Sequence, residues 1–176
     1  IMTSRFPLVS VVMPVYNGAK YLKEAIESIL EQTFADFELI IIDDASSDHS
    51  VDIIKSFNDK RIQLTVNDIN QKQTICENNG IDNSRGKYIA RLDQDDIMIQ
   101  DRLKKQVNYL EENSEIAVLG SQFFCIDHNG NHFDEMPWPV GIGNNIYSCI
   151  TGFSPVGHPG ALIRKSVLEQ VGKYDP

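Results

Sequence analysis

Two short runs of carboxylates hold most of the chemistry available to this chain, Asp43-Asp44 and Asp93-Gln94-Asp95-Asp96. Each lies at the end of an apolar stretch, Phe37 to Ile42 and Tyr88 to Leu92, that reads as a buried strand. In an open α/β sheet, ligands bind outside the carboxyl ends of the strands. Five acidic residues therefore gather on the edge where a ligand is expected, and in a partly desolvated cleft they repel one another. A hard cation relieves that repulsion, and oxygen ligands of this kind suit Mg2+ or Mn2+. Such ions are held by one or two carboxylates together with substrate phosphates. The pattern thus points to a metal-bridged phosphate or diphosphate ligand. An Asp after a strand also serves as a turn residue or helix cap. Asp48 and Asp101 fit that plainer role and Asp43-Asp44 fits either, but three aspartates at one turn exceed what capping requires. Tyr16 falls at the same edge, where it serves equally as a stacking surface for a base or sugar or as core packing.

The elements that must position these residues alternate in the manner of βαβ units and a mainly parallel sheet, an α/β class. Val9 to Met13 is the first strand, stopped by Pro14. After the Asn17-Gly18 turn signal, Tyr21, Leu22, Ala25, Ile26, Ile29 and Leu30 recur at helical spacing. Phe37 to Ile42 is the second strand, and Ser46, Ser47 and Asp48 offer caps for a short helix bearing Val51, Ile53, Ile54 and Phe57. Arg61 to Val66 forms a third strand, Thr74 to Ser84 a weaker helix closed by Arg85-Gly86, and Tyr88 to Leu92 a fourth strand. Asp101 caps a helix marked by Leu103, Val107 and Leu110. Ile116 to Ile126 reads as one strand, followed by a hairpin signal at Asp127-His128-Asn129-Gly130-Asn131. Pro137 to Gly160 is a long Pro- and Gly-rich loop of the kind that binds ligands. Ala161 to Ile163 and Ser166 to Val171 supply a last strand and helix.

Composition narrows the function. The 176 residues carry 16 Lys and Arg against 25 Asp and Glu, a net charge of −9, which excludes the basic footprint of a nucleic-acid partner. The longest aliphatic stretch, Leu39 to Ile42, falls far short of the roughly 20 apolar residues that a membrane helix needs. No transmembrane segment and no secretory pattern is expected from the sequence. Three cysteines, Cys76, Cys125 and Cys149, form no CxxC; they suggest a reducing compartment and no zinc site.

Four blocks in order resemble family 2 glycosyltransferases of the GT-A fold. Val9 to Asn17 resembles the family's opening strand, and Ser28 to Phe34 with Phe37 to Asp48 its next block. There the family usually reads D-D-G-S-x-D, so Ala45 is a departure. Asn79-Gly80-Ile81 and Arg85 to Asp96 resemble the block with the D-x-D metal motif. His158-Pro159-Gly160, Arg164-Lys165 and Gly172-Lys173-Tyr174-Asp175 resemble the downstream segment. The likeness runs from about Leu8 to the last residue.

The resemblance implies a single GT-A domain over residues 1–176, with a Rossmann-like sheet flanked by helices, whose enzyme moves a hexose-type sugar. The donor would be a nucleotide-diphospho-sugar, often UDP-linked. Transfer would go with inversion to the hydroxyl of a carbohydrate or lipid-linked glycan, in bacterial cell-surface polysaccharide synthesis. It implies that Pro14 and Tyr16 hold the base, that Asp44 accepts a hydrogen bond from the uracil ring, and that Asp93 lies near the ribose and sugar. It further implies that Asp95 ligates Mn2+ or Mg2+ with Asp96 beside it, and that Lys72 is a basic residue near the nucleotide. Glu77 stands where the family often has Arg. The family's general base follows the Gly172 to Asp175 block, so it is expected after Pro176. The domain is then incomplete at its C-terminus, able to bind a donor but poor in transfer. His158 either touches a phosphate or acceptor or simply packs, and Trp138 either stacks on an acceptor sugar or packs. The resemblance also implies a cytoplasmic protein, peripheral to the inner face of the membrane at full length.

Three other readings compete. A receiver domain would want its acidic pair after the first strand, where Pro14-Val15-Tyr16-Asn17 stands. A metal-dependent nucleotidyltransferase would want a Gly-rich phosphate loop, and only Asn17-Gly18-Ala19-Lys20 is available. A non-catalytic nucleotide-sugar binding fragment shares every binding feature above.

Overall fold

The computed structural model describes residues 6–136 and 156–176. Trp138, Cys149 and most of the long loop lie outside them. Strands and helices follow one another as β1 (Val9–Val15), α1 (Leu22–Leu30), β2 (Phe37–Asp43), α2 (Ser50–Ser56), β3 (Ile62–Val66), α3 (Gln73–Asn83), β4 (Tyr88–Arg91) and α4 (Arg102–Glu112). Then come β5 (Val118–Leu119), β6 (Phe123–Ile126), β7 (His132–Met136), β8 (Leu162–Arg164) and α5 (Lys165–Val171).

The central sheet has six strands in the order β3-β2-β1-β4-β8-β5. Its first four run parallel, and β8 lies antiparallel to both β4 and β5. Both faces are covered, which is why the inner strands read as unbroken apolar runs. Val9, Val11, Met13 and Val15 of β1 point to one side, where Leu22, Ala25, Ile26 and Ile29 of α1 and Leu103, Val107 and Leu110 of α4 pack on them. Val12 and Ile89 point to the other, against Ile81 of α3 and Leu168 of α5. At about 25 cal/mol per Å2 of apolar surface, burial of side chains this size contributes about 2 kcal/mol each, so the two-sided core dominates the stability of the sheet.

Pro14 does not stop β1, which continues to Val15 in register with Asp43. The Val12 carbonyl accepts a hydrogen bond from Leu92 N–H on the β4 side. Pro14, two residues on, faces that same side, but the β4 pairing has already ended at Val12 opposite Arg91. Its missing N–H therefore costs no ladder bond.

The stretch 116–126 is not one strand. Val118 and Leu119 pair with β8 in the main sheet, whereas Phe123 to Ile126 pair with β7 in a separate two-stranded hairpin. The break falls at Gly120, where a Cβ would come within 2.9 Å of Val156. The hairpin turn is as expected, with the Asp127 carboxylate accepting from the N–H groups of Asn129 and Asn131 at 2.8 and 2.9 Å.

The helix caps differ from expectation. Asp101 makes no side-chain cap bond to α4 and pairs instead with Lys105 at 2.6 Å. The orphan N–H of Leu103 goes to Gln32 Oε1 at 3.1 Å. Nor does Gly86 end α3 in a left-handed conformation; a Cβ there would sit 2.6 Å from Ser10 N, so the residue is small because β1 passes against it. At α2 the N-cap position falls to His49, which makes no side-chain cap bond, while Asp48 before it accepts from the Ser50 N–H at 2.9 Å.

Candidate functional site

The strand order reverses between β1 and β4, the switch point at which an α/β sheet opens a crevice. A cleft of about 410 Å3 lies there, within the usual size of a small-ligand site. Pro14, Tyr16, Asp44, Lys72, Asp93 and Asp95 all line it, so six of the seven residues singled out in the sequence meet in one place. The seventh, Asp96, lines an adjoining cavity of about 490 Å3, which Asp95 shares. Asn70, Gln73, Cys76 and Gln94 also face the cleft.

Each wall is fixed by polar contacts that the sequence does not advertise. Tyr16 is 49% exposed, so its ring is a surface of the cleft and not part of the core. Its backbone is clamped by Gln94, whose Oε1 accepts from Tyr16 N–H at 2.8 Å while Nε2 donates to Tyr16 O at 3.2 Å. The turn after β1 is stitched to the turn after β2. The Asn17 N–H donates to Ser46 Oγ, the Gly18 N–H to Ser50 Oγ and the Ala19 N–H to Asp48, at 2.9 to 3.0 Å. Ala45, between them, has φ +62°, a left-handed conformation that suits the Gly more usual there.

Asp43 and Asp44 part company. Asp43 is fully buried and accepts from the Ser46 N–H at 3.1 Å, serving the turn. Asp44 accepts from Asn67 Nδ2, the Gln71 N–H and the Lys72 N–H, each at 2.8 Å. Burial pushes its carboxyl up, but these bonds outweigh it and hold the group below the usual carboxylate range. Asp44 thus organises the 67–72 segment as the far wall of the cleft. Lys72 is exposed there, on a backbone with φ +77°. Burial and the neighbouring Asp44 charge push the Cys76 thiol up to about 12, so it is no nucleophile.

The aspartate turn is likewise held from outside. The Met98 N–H donates to Ser28 Oγ at 3.0 Å, and Gln32 Nε2 donates to Ile99 O at 2.8 Å. The Ser28 to Phe34 block therefore acts as a bracket for the loop that follows Asp96. Asp95 is exposed, while Asp93 and Asp96 are half-buried. Burial, then the charges of Asp93 and Asp95, push the Asp96 carboxyl up to about 6, with Arg102 opposing. Burial also raises Asp93, which Arg91 partly offsets.

Among the described residues no three His, Cys, Asp or Glu side chains form a complete metal cage. The donor set nevertheless fits a magnesium-type ion: all-oxygen, mutually repelling, and short of ligands that a diphosphate would add. Glu77, where the resembling family often has Arg, is buried and paired with Arg91 instead. His158 packs edge-on against the Tyr174 ring, with centroids 4.9 Å apart.

The family model described as Glycosyl transferase family 2 matches residues 10–172. The chain belongs to that family. It is 40% identical over 173 residues to an uncharacterized glycosyltransferase of Methanocaldococcus jannaschii, covering 96% of this chain and 59% of the relative. It is 30% identical over 159 residues to the candidate teichuronic acid biosynthesis glycosyltransferase TuaG of Bacillus subtilis, covering 85% of the chain and 63% of TuaG. The chain spans about half to three-fifths of such relatives. Among solved structures, S. aureus TarS in complex with UDP superposes with a TM-score of 0.78 at 23% identity, over 96% of this chain and 50% of TarS. The mannosyltransferase PcManGT of Pyrobaculum calidifontis, in complex with GDP-Man and Mn2+, gives 0.71 at 17% identity, over 98% of this chain and 48% of that one. The mostly parallel sheet flanked by helices is thus the GT-A fold. No helix among the described residues is long and apolar enough to cross a membrane.

Proposed function

We propose that this glycosyltransferase domain binds a UDP-linked sugar in the cleft between β1, β2 and β4, and that the whole protein transfers the sugar with inversion to an acceptor hydroxyl. The observation that carries the reading is the convergence of Tyr16, Asp44, Lys72, Asp93 and Asp95 on one cleft at the sheet's switch point. The exposed Tyr16 ring gives a stacking surface for the base, with Pro14 beside it. Asp44 Oδ2, which takes only the Lys72 N–H among the backbone and amide donors, is the oxygen offered to the uracil N–H. Lys72 supplies a positive charge to the nucleotide, and Asp93 accepts hydroxyl hydrogen bonds from ribose and sugar. A Mn2+ or Mg2+ ion held by Asp95 and Asp96 would stabilise the charge developing on the departing diphosphate. The acceptor's proton would pass to a carboxylate acting as general base. The sugar acceptor, a carbohydrate or lipid-linked glycan of a cell-surface polysaccharide, would be met at the cytoplasmic face of the membrane. TuaG supports the polysaccharide role, and TarS with UDP supports the donor.

Titration with UDP, GDP and ADP, each with and without Mn2+, tests this directly. UDP should bind best, and only with metal at its full affinity; Asp95→Ala should erase the metal effect. Equal or absent binding of all three nucleotides would refute the donor assignment.

A further inference from the structure

The guanidinium of Arg91 is buried beneath the donor cleft, with its side chain 1% exposed. Its Nη2 meets two carboxylates, Glu77 Oε1 on α3 and, at 3.3 Å, Asp93 Oδ1 in the cleft wall. Nε and Nη1 have no hydrogen-bond partner. Tyr174 is a further neighbour, its ring centroid 5.7 Å from the guanidinium carbon, and the charge also acts on His158, which packs edge-on against that ring. Tyr174 in turn is fastened to α3, donating from its N–H to Asn78 Oδ1 at 3.1 Å and accepting from Asn78 Nδ2 at 2.8 Å. A guanidinium cannot shed its charge on burial, so whatever carboxylates it reaches are held in place.

We propose that Arg91 is a positioning residue: it fixes the Asp93 carboxylate in the donor cleft and couples that carboxylate to the docking of the Gly172 to Asp175 segment through Tyr174. The inference rests on the donor reading above. Glu77 balances the buried charge, leaving Asp93 as the arm that reaches ligand. Because Asp93 is 31% exposed on its side chain and Arg91 is not, the cation acts on the donor only through Asp93. The docking of the Gly172 to Asp175 segment on α3 and the placement of the Asp93 carboxylate thus meet at this one charge.

Removing Arg91 alone strands Glu77 as a buried, unpaired charge and invites unfolding. The informative variant replaces the pair by apolar groups, Glu77→Leu with Arg91→Met, which keeps the site packed. The readouts are UDP affinity with Mn2+ by calorimetry and amide exchange of residues 172–175. The expected result is a folded protein with UDP affinity about tenfold weaker and faster exchange in the segment. A second variant, Tyr174→Leu, leaves the cleft lining and both members of the ion pair in place and removes only the ring that faces Arg91. It should weaken UDP severalfold, a change that a purely structural tyrosine would not produce. Wild-type UDP affinity in both variants overturns the proposal, and so does an unfolded double variant accompanied by an unaffected Tyr174→Leu. If the unaltered chain binds no nucleotide, the donor reading falls and this inference with it.

Discussion

Gln94 stands between Asp93 and Asp95, and the structure gives it a task separate from theirs. Its amide holds the Tyr16 peptide on both sides, at 2.8 and 3.2 Å. Gly18 bears on the same amide, because a Cβ there would lie 2.4 Å from Gln94 Oε1 and 2.7 Å from Cδ. Gly18 has no positive φ, so alanine fits the backbone and the side-chain amide must swing away. Gly18→Ala and Gln94→Ala should therefore do the same damage by different routes. Two partly exposed hydrogen bonds at about 0.5–1 kcal/mol each set the stability loss at about 1–2 kcal/mol. Base stacking is worth about 1–3 kcal/mol per base. A loosened Tyr16 that forfeits a third to a half of this loses about 1 kcal/mol, or about fivefold in UDP affinity. The assay is calorimetric titration of UDP and of uridine across the double-mutant cycle. In the Gln94→Ala background the three atoms nearest the added methyl of Gly18→Ala are gone, so the second substitution should be close to neutral, with a coupling energy of about 1 kcal/mol. Uridine should lose as much affinity as UDP, since the clamp serves the base. Strict additivity of the two substitutions, or a loss confined to UDP with Mn2+, would refute the clamp.

Three further perturbations follow from the same site. Asp44→Asn leaves one amide nitrogen facing an N–H donor of the 67–72 segment; it should cost about 2 kcal/mol in denaturant unfolding and reduce the preference for UDP over GDP, and unchanged selectivity would sink the base-recognition role. Asp96 has a folded pKa of about 6, raised above 3.8, so its protonated form is favoured: its contribution to apo stability is complete below pH 3.8 and is lost as pH rises through 6. Mn2+ needs the ionised form, so metal affinity should fall up to about tenfold per pH unit below that pKa, with proton release in calorimetry; Asp96→Asn should flatten the profile, and an unchanged profile in that variant would dismiss Asp96. Ala45→Gly relieves a left-handed alanine worth about 1–2 kcal/mol against about 0.4–1 kcal/mol of added unfolded-chain entropy. Tm should rise by about 1–3 °C, and a fall in calorimetric Tm would show that the conformation carries no strain.

What the sequence makes legible here is set by range. Strands buried on both faces must be continuously apolar, so β1, β2 and β4 stand out, and the carboxylates that follow them are placed by adjacency alone. Directions are not placed by adjacency. Asp43 and Asp44 are neighbours, yet one turns under its own loop and the other ties down a segment 23 to 28 residues away. The alternation of 116–126 passes smoothly through the point where the chain leaves the main sheet, because that break is dictated by Val156 and β8, encoded some 40 residues later. The same holds for the groups that make the site rigid. Gln32 reaches α4 across 71 residues and Gln94 reaches Tyr16 across 78, and a glutamine has no period, no cap preference and no charge to betray it. Glu77 and Arg91 were legible one at a time, as a departure from a pattern and as a strand residue, but only their pairing explains either. The ligand-facing charges of a site at strand ends thus sit where local rules put them. Their orientation is a property of contacts between elements, and it is there that substitutions far from the cleft should be able to change what it binds.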